Sequence, residues 1–212
     1  MQLTANGHAL DLRPSHLGAL EPSTALLGDA AALREAMAEQ GYLYLPGLLD
    51  PELGVAARHE ILWKYAVVGE VDDRFPIDDA VPGDRAGVAG ANLRALSTSI
   101  RTGHAYLAVT DHERVLGVHA ALLGGDVRSY DFRWPRFARP GEGCGFHCDG
   151  PYMNRGTDTS RIYTSWIPLG RVRRDEGALI VLEDSHRNEE LHAGYLRADA
   201  DRQRAHAGHP QH

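Results

Sequence analysis

In this 212-residue chain, the order in which helix-like and strand-like sequence patterns occur constrains the fold more than any other feature. Apolar residues recur at helical spacing in the first half of the sequence. In the second half they alternate with polar residues, as they do in β-strands. Helices followed by strands are typical of α+β domains rather than of alternating α/β folds. We therefore expect an α+β domain in which helices precede a mainly β core.

Capping signals predict two helices near the start of the chain. The first begins after Asp29, a good N-cap residue, and ends at Gly41, which suits the left-handed conformation that closes a helix. The second begins at Asp50, where Pro51 takes the first helical position, and should run to about residue 68.

A third helix follows a possible N-cap at Asp111 and ends at Gly124. Residues 70–103, which precede it, are rich in Asp, Pro, Gly and Arg and show little periodicity. That composition predicts a long irregular segment. Such a segment could form a lid over a substrate, although a simple surface loop is the default interpretation.

The second half contains four β-like segments, each bounded by turn-rich sequence. In the first of them Tyr130, Phe132 and Trp134 fall on alternate positions and should share one face. The four segments are residues 127–137, 145–149, 162–169 and 178–183.

Composition excludes several classes of protein. A net charge of −7 without any Lys-rich or Arg-rich tract disfavours nonspecific binding to nucleic acid or to anionic membranes. No apolar run is long enough for a membrane span, the N-terminus does not resemble a secretory signal, and two closely spaced cysteines do not form a disulfide framework. We expect one cytoplasmic domain that acts on a small molecule, in an oligomeric state that the sequence leaves open. Its expected parts are helical residues 1–125, jelly-roll strands within 126–186 and a polar tail over 187–212.

Candidate chemistry lies in the tripeptide His147-Cys148-Asp149. Residues two apart on an extended backbone point to the same side, so this imidazole and this carboxylate would converge on one metal ion. With another histidine, such a pair forms the facial triad that binds non-haem Fe(II) and leaves coordination positions open. In isolation the pair is common at this composition, and a hydrogen-bonded pair without metal is the simpler explanation.

Longer motifs around this pair resemble the phytanoyl-CoA dioxygenase family of Fe(II)- and 2-oxoglutarate-dependent oxygenases. They are GYLYLPGLLDPE (41–52), HCDGPYMNRGTDT (147–159), SWIPLG (165–170) and EGALIVLEDSHR (176–187), in the family's order. The resemblance spans residues 35 to 200 or so. It implies a double-stranded β-helix, which is an eight-stranded jelly roll preceded by helices. It also implies hydroxylation of a small organic substrate with Fe(II), 2-oxoglutarate and O2.

The resemblance implies roles for individual residues. It does not imply a catalytic side chain apart from the ligands of the metal and the co-substrate. It makes His147 and Asp149 the first two iron ligands. Trp166 lies where the family has a tryptophan beside 2-oxoglutarate, although an aromatic residue in the strand core is an equal alternative. Arg139 and Arg161 could contact the same co-substrate or face solvent.

The family pattern also makes His186, in EDSHR, a structural hydrogen-bonding residue rather than a metal ligand. Family members continue with a distal histidine and then an arginine that binds the far carboxylate of 2-oxoglutarate. This chain has no arginine after Arg204, and its last histidines lie in a polar segment without strand-forming residues. We therefore expect an incomplete jelly roll that, by itself, binds iron weakly and turns over little 2-oxoglutarate.

Two alternative functions remain open. The first is a binding or structural module without catalysis, in which the histidine and the aspartate are a remnant of a metal site. The second is a zinc site built from Cys144, His147 and Cys148, whose crowded spacing suits a tetrahedral ion poorly. A nucleophilic role for Cys148 is disfavoured because no basic neighbour is evident to lower its pKa.

Overall fold

The computed structural model describes residues 3–5, 8–83, 93–131, 133–136, 145–149, 153 and 162–194. Within these ranges lie one two-stranded antiparallel sheet and six α-helices. The elements are β1 (Thr4–Ala5), β2 (His8–Ala9), α1 (Ala30–Gln40), α2 (Pro51–Val67), α3 (Leu93–Arg101), α4 (His104–Thr110), α5 (Glu113–Leu123) and α6 (Glu189–Ala193). In the sheet, Thr4 pairs with Ala9 and Ala5 pairs with His8.

Helices α1 and α2 confirm the capping predictions. Oδ1 of Asp29 accepts two backbone N–H groups in the first turn of α1, at 2.9 and 3.0 Å. Gly41 ends that helix with a φ of 77°, in the left-handed region where glycine is favoured. Oδ1 of Asp50 accepts the N–H of Glu52 at 3.0 Å, with proline at the first helical position of α2.

Helix α5 is also confirmed, but its N-cap is not the predicted Asp111. His112 takes that position, and its Nδ1 accepts the N–H of Arg114 at 3.1 Å. Asp111 cannot cap α5 because it follows directly on the last turn of α4, which the sequence did not reveal. Gly124 ends α5 with a φ of 69°, as expected.

The prediction of an irregular segment over residues 70–103 is wrong in its last part, which forms α3. This helix exists because Leu96 and Ile100 lie one turn apart and pack towards α2, with Ile100 only 1% exposed. The earlier part contains a short 3-10 turn, Ile77–Asp79, and an isolated antiparallel bridge between Val71 and Pro82. Residues 84–92, which belong to the possible lid, lie outside the described residues.

The core lies among the helices. Its central cluster consists of the buried residues Ile61, Ile100 and Tyr106 from α2, α3 and α4. Tyr65, Leu96 and Leu169 are partly buried against this cluster. Leu169 brings the SWIPLG segment onto α2, where its Cα lies 3.6 Å from the position that a Cβ would take on Gly54. The helical layer therefore supports the second half of the chain directly.

Helix α4 takes its N-terminal cap from α2. Its own cap residue, Gly103, has no side chain, and Oε2 of Glu60 accepts the N–H of Ala105 at 2.7 Å instead. Lys64 pairs with the same carboxylate and donates to the Ser99 carbonyl at 2.8 Å. Burial raises the pKa of Glu60, but the hydrogen bonds from Lys64 and Ala105 outweigh it and hold the pKa below its usual range.

The turn Ser185–Arg187 contacts the C-terminal end of α1. Nε2 of His186 lies 3.1 Å from the Ala38 carbonyl oxygen, and Arg187 donates to the Glu39 carbonyl at 2.7 Å. These contacts satisfy carbonyls that the helix leaves free at its C-terminus, where a cation is also favoured. The prediction that His186 is a structural hydrogen-bonding residue is confirmed.

The β-like segments are not paired into a sheet where the structure describes them. Residues 127–131, 133–136, 145–149, 162–169 and 178–182 are neither helical nor bridged to another strand. The jelly roll therefore stays a prediction from the resemblance. No helix in the described ranges has the length and apolar character needed to cross a membrane.

Candidate metal site

The structure brings His147 and Asp149 together. Nε2 of His147 lies 3.5 Å from Oδ1 of Asp149, and about a third of each side chain is exposed, 34% and 35%. The N–H of Met153 donates to the Asp149 carbonyl at 3.0 Å. The two side chains thus present one nitrogen and one oxygen to the same accessible space.

A backbone carbonyl orients the His147 ring. Nδ1 lies 2.8 Å from the carbonyl oxygen of Gly145, which can only accept, so Nδ1 carries the hydrogen. In the neutral ring Nε2 then keeps a lone pair, and that lone pair faces the Asp149 carboxylate. A cation bound between them would be a partner for both this nitrogen and this oxygen. Metal-binding histidines are commonly oriented by this kind of carbonyl contact.

The geometry of the pair fits a small divalent ion. Two ligand atoms bound at about 2.1 Å and at right angles lie about 3 Å apart, so closing the observed gap takes a movement of about 0.5 Å. One imidazole and one carboxylate are suitable donors for Fe(II). The described residues contain no group of three His, Cys, Asp or Glu side chains that could hold a metal ion. Among the described residues, His147 and Asp149 therefore offer two donor atoms, fewer than an iron ion needs.

Trp166 is 44% exposed, so among the described residues it is not in a core. The adjacent Ser165 hydroxyl lies 2.8 Å from Nε2 of His119, which connects this segment to α5. Burial lowers the pKa of His119, so its ring is neutral near pH 7. Arg139 and Arg161 lie outside the described residues, and their contact with a co-substrate stays a prediction.

The thiol between the two candidate ligands does not suit a thiolate role. Burial raises the pKa of Cys148, and the charge of Asp149 raises it further. A nucleophilic or zinc-binding thiolate needs the opposite shift. Cys144, the other member of the considered zinc site, lies outside the described residues.

Asp111 has a role that the sequence did not reveal. Its carboxylate accepts the Ser129 hydroxyl at 2.8 Å and Nε of Arg133 at 3.2 Å. Burial raises the pKa of Asp111, but these hydrogen bonds outweigh it and lower the pKa below its usual range. These contacts attach Ser129 and Arg133 to a residue that joins α4 to α5. No sequence signal marks an acid and an arginine so far apart as partners.

Comparison with known proteins connects these features. Residues 37–211, which include all five predicted site residues, match the phytanoyl-CoA dioxygenase (PhyH) family. The chain belongs to this family. The resemblance deduced from the motifs is therefore confirmed.

Two curated relatives are 1-deoxypentalenic acid 11-beta-hydroxylases, from Streptomyces exfoliatus and Streptomyces arenae. Each is 28% identical to this PhyH family member, over 179 and 171 residues respectively. The alignments cover 77% of this chain but 57% of each relative, so the chain spans a little over half their length. No solved structure matches.

Proposed function

We propose that this PhyH family member acts as a non-haem Fe(II)- and 2-oxoglutarate-dependent oxygenase that hydroxylates a small organic substrate. Family membership and two relatives named as hydroxylases support an oxygenase. The observation that carries the proposal is the pairing of His147 and Asp149, whose Nε2 and Oδ1 face each other at 3.5 Å. O2 is the oxidant in this proposal.

Each candidate residue has a defined task in the proposed reaction. His147 and Asp149 would hold Fe(II), with the ring kept in the required tautomer by the Gly145 carbonyl. The bound ion would supply the activation of O2, coupled to the decarboxylation of 2-oxoglutarate. Trp166 would flank the co-substrate, and Arg139 and Arg161 are the candidate contacts for its carboxylates.

The proposed architecture is that of the resemblance. Residues 126–186 would contribute strands to a double-stranded β-helix within a single oxygenase-like domain, the helices of residues 1–125 would pack on it, and residues 187–212 would form a polar tail. We propose that the protein acts in the cytoplasm. The relatives are named for hydroxylating 1-deoxypentalenic acid, and a small organic substrate is likewise proposed here.

One observation favours a second candidate, a non-catalytic module that keeps part of the metal site. The described residues bring together two possible ligands rather than three. Such a module would bind a metal ion through His147 and Asp149 without turning over 2-oxoglutarate.

Anaerobic calorimetry with Fe(II), with and without 2-oxoglutarate, tests the proposal. His147→Ala and Asp149→Ala should each weaken Fe(II) binding at least tenfold, and 2-oxoglutarate should strengthen binding to the unmodified protein. The matched control is His59→Ala. His59 belongs to a second exposed histidine–aspartate pair, with Nδ1 3.2 Å from both carboxylate oxygens of Asp78. The His59→Ala variant should leave Fe(II) binding unchanged.

Equal Fe(II) affinity in all variants would contradict the metal site. On admission of O2, the oxygenase predicts succinate release that His147→Ala abolishes. Fe(II) binding at this pair without succinate release would favour the non-catalytic module.

A further inference from the structure

A cavity of about 400 Å³ opens between α1, α5 and the turn at Gly47 and Leu48. Aliphatic side chains such as Leu27, Leu33 and Val118 line it, and among the described residues Arg114 is its one charged lining residue. None of its lining residues belongs to segments 145–149 or 162–169. The cavity therefore lies apart from the candidate metal site in the described structure.

The residues that α5 contributes share one face of the helix. Arg114, Gly117, Val118 and Ala121 are spaced three, one and three residues apart, which places them side by side at 3.6 residues per turn. His119, which contacts Ser165, lies on the opposite side of the same helix. The cavity and the SWIPLG segment thus occupy different faces of α5.

Gly117 is an unexpected residue for the middle of a helix. Glycine there is destabilising relative to alanine, and close packing is the usual compensation. A Cβ on Gly117 would meet nothing within 4 Å. Among the described residues, nothing therefore packs into the space beside Gly117.

Arg114 is a second unfavourable choice on the same face. It lies in the first turn of α5, at the positive end of the helix dipole, where a cation is disfavoured and an anion is favoured. Its side chain donates one long hydrogen bond, 3.3 Å, to the Leu48 carbonyl. Of the nearby acids, Asp50 already caps α2, and Glu113 precedes Arg114 in the same turn.

We propose that this cavity binds a small apolar carboxylic acid, with its hydrocarbon part beside Gly117 and its carboxylate on Arg114. Two locally unfavourable residues that open on one cavity are expected at a functional site. A cavity of about 150 Å³ holds a benzene ring, so this one suits roughly ten to fifteen carbon atoms. An aliphatic cavity with one well-placed charged group is the usual form of a small-molecule site. The proposal does not rest on the iron site.

Calorimetric titration with decanoate and with 1-decanol tests the proposal. Decanoate should bind to the full chain at least tenfold more tightly than 1-decanol, because a charge-assisted hydrogen bond to Arg114 distinguishes them. Arg114→Gln should reduce decanoate binding to the level of 1-decanol. Gly117→Leu, which fills the cavity, should weaken both at least tenfold.

Gly125→Leu is the matched control. It adds the same side chain just after α5, at a residue that does not line this cavity and where a Cβ would meet no described atom within 4 Å. It should bind decanoate like the unmodified protein. Ala121→Leu fills the same cavity from a position one turn after Gly117, and leucine is a good helix former. If circular dichroism shows that the Gly117→Leu variant is unfolded, Ala121→Leu takes its place in the test.

Three results would overturn the proposal. They are no saturable decanoate binding, unchanged affinity in a folded cavity-filling variant, and equal affinity for decanoate and 1-decanol.

Discussion

The helical region, residues 30–123, and the site-bearing region, residues 127–187, differ in how they are stabilised. All eleven buried apolar residues of the described structure lie between Leu33 and Leu122. Of the described residues from Tyr130 to Leu182, seven large apolar side chains are exposed. Burial of apolar surface is the main stabilising contribution in folding, so the helical region carries most of the stability of the described chain.

Among the described residues, several polar contacts attach the site-bearing region to the helices. They are the Asp111 contacts to Ser129 and Arg133, the His119 contact to Ser165, and the contacts of His186 and Arg187 with the end of α1. Leu169 adds an apolar contact with the core. Regions held in this way open at lower free energy than a packed core. The comparison therefore predicts that the site-bearing region opens at a lower free energy than the helical region.

The largest expected difference comes from matched leucine truncations. Leu62 in α2 is 3% exposed and Leu182 is 55% exposed. Leu62→Ala should lower the free energy of unfolding by about 2–5 kcal/mol, because it leaves a cavity in the core. Leu182→Ala should lower it by less than about 0.5 kcal/mol. Urea denaturation measures both, and equal losses would contradict the division into two regions.

Two glycine substitutions test the contact between the end of α1 and the Ser185–Arg187 turn. Gly41 and Gly177 both have positive φ, 77° and 82°, but only at Gly41 would a Cβ collide with the His186 ring. Gly177→Ala should destabilise the protein by about 1 kcal/mol through backbone strain alone.

Gly41→Ala should cost about 2–3 kcal/mol, since strain and the collision add. His186→Ala in the same chain should remove the steric part of that loss. A Gly41→Ala loss no larger than that of Gly177→Ala would show that the His186 ring does not rest on α1.

The cap that α2 provides to α4 makes stability depend on pH. Glu60 is ionised in the folded protein with a pKa below its usual value. Its contribution is therefore complete above the unfolded pKa of about 4.3 and is lost as the pH falls through the lower folded pKa.

Glu60→Gln should lower the free energy of unfolding by about 1–2 kcal/mol at pH 7. The difference from the unmodified protein should shrink as the pH falls below about 4. Denaturation at several pH values measures this, and a constant difference would contradict the role of the carboxylate.

The smallest effect is expected for His119→Ala. It removes the contact with Ser165, which is worth about 0.5–1.5 kcal/mol to the attached segment. Because that segment opens separately, amide exchange of residues 162–167 should accelerate about two- to tenfold while the global free energy of unfolding changes little. Ser165→Ala should have the same effect, and the double variant should add nothing further. Unchanged exchange would show that the contact does not hold the segment.

The same comparison explains what the sequence could predict. Asp29, Asp50 and Gly124 mark helix boundaries through local chemistry, so α1, α2 and the end of α5 were predictable. Helix α3 was missed because its stability comes from packing Ile100 against α2, which local composition does not reveal. The N-cap of α5 was not predictable from Asp111, because the unpredicted helix α4 ends at that residue and leaves the cap position to His112.

In the candidate site, too, local contacts were predictable from the sequence and long-range contacts were not. The prediction that His147 lies beside Asp149 rested on their spacing of two, which is a local feature, although residues 145–149 do not form a strand. The Gly145 carbonyl that sets the His147 tautomer also lies two residues away, yet no residue type identifies a backbone acceptor. The contacts of Asp111 with Arg133 and of His119 with Ser165 span 22 and 46 residues, and their residue types are too common to predict them.

Nitrogen-15 NMR of the histidine side chains during an anaerobic Fe(II) titration tests the central claim most directly. Before metal is added, His147 should carry its proton on Nδ1, with an unprotonated Nε2. Fe(II) should then shift and broaden the His147 signals at concentrations that leave the His59 signals unchanged. A proton on Nε2 instead, or His147 signals that do not respond while Fe(II) binds, would contradict the account.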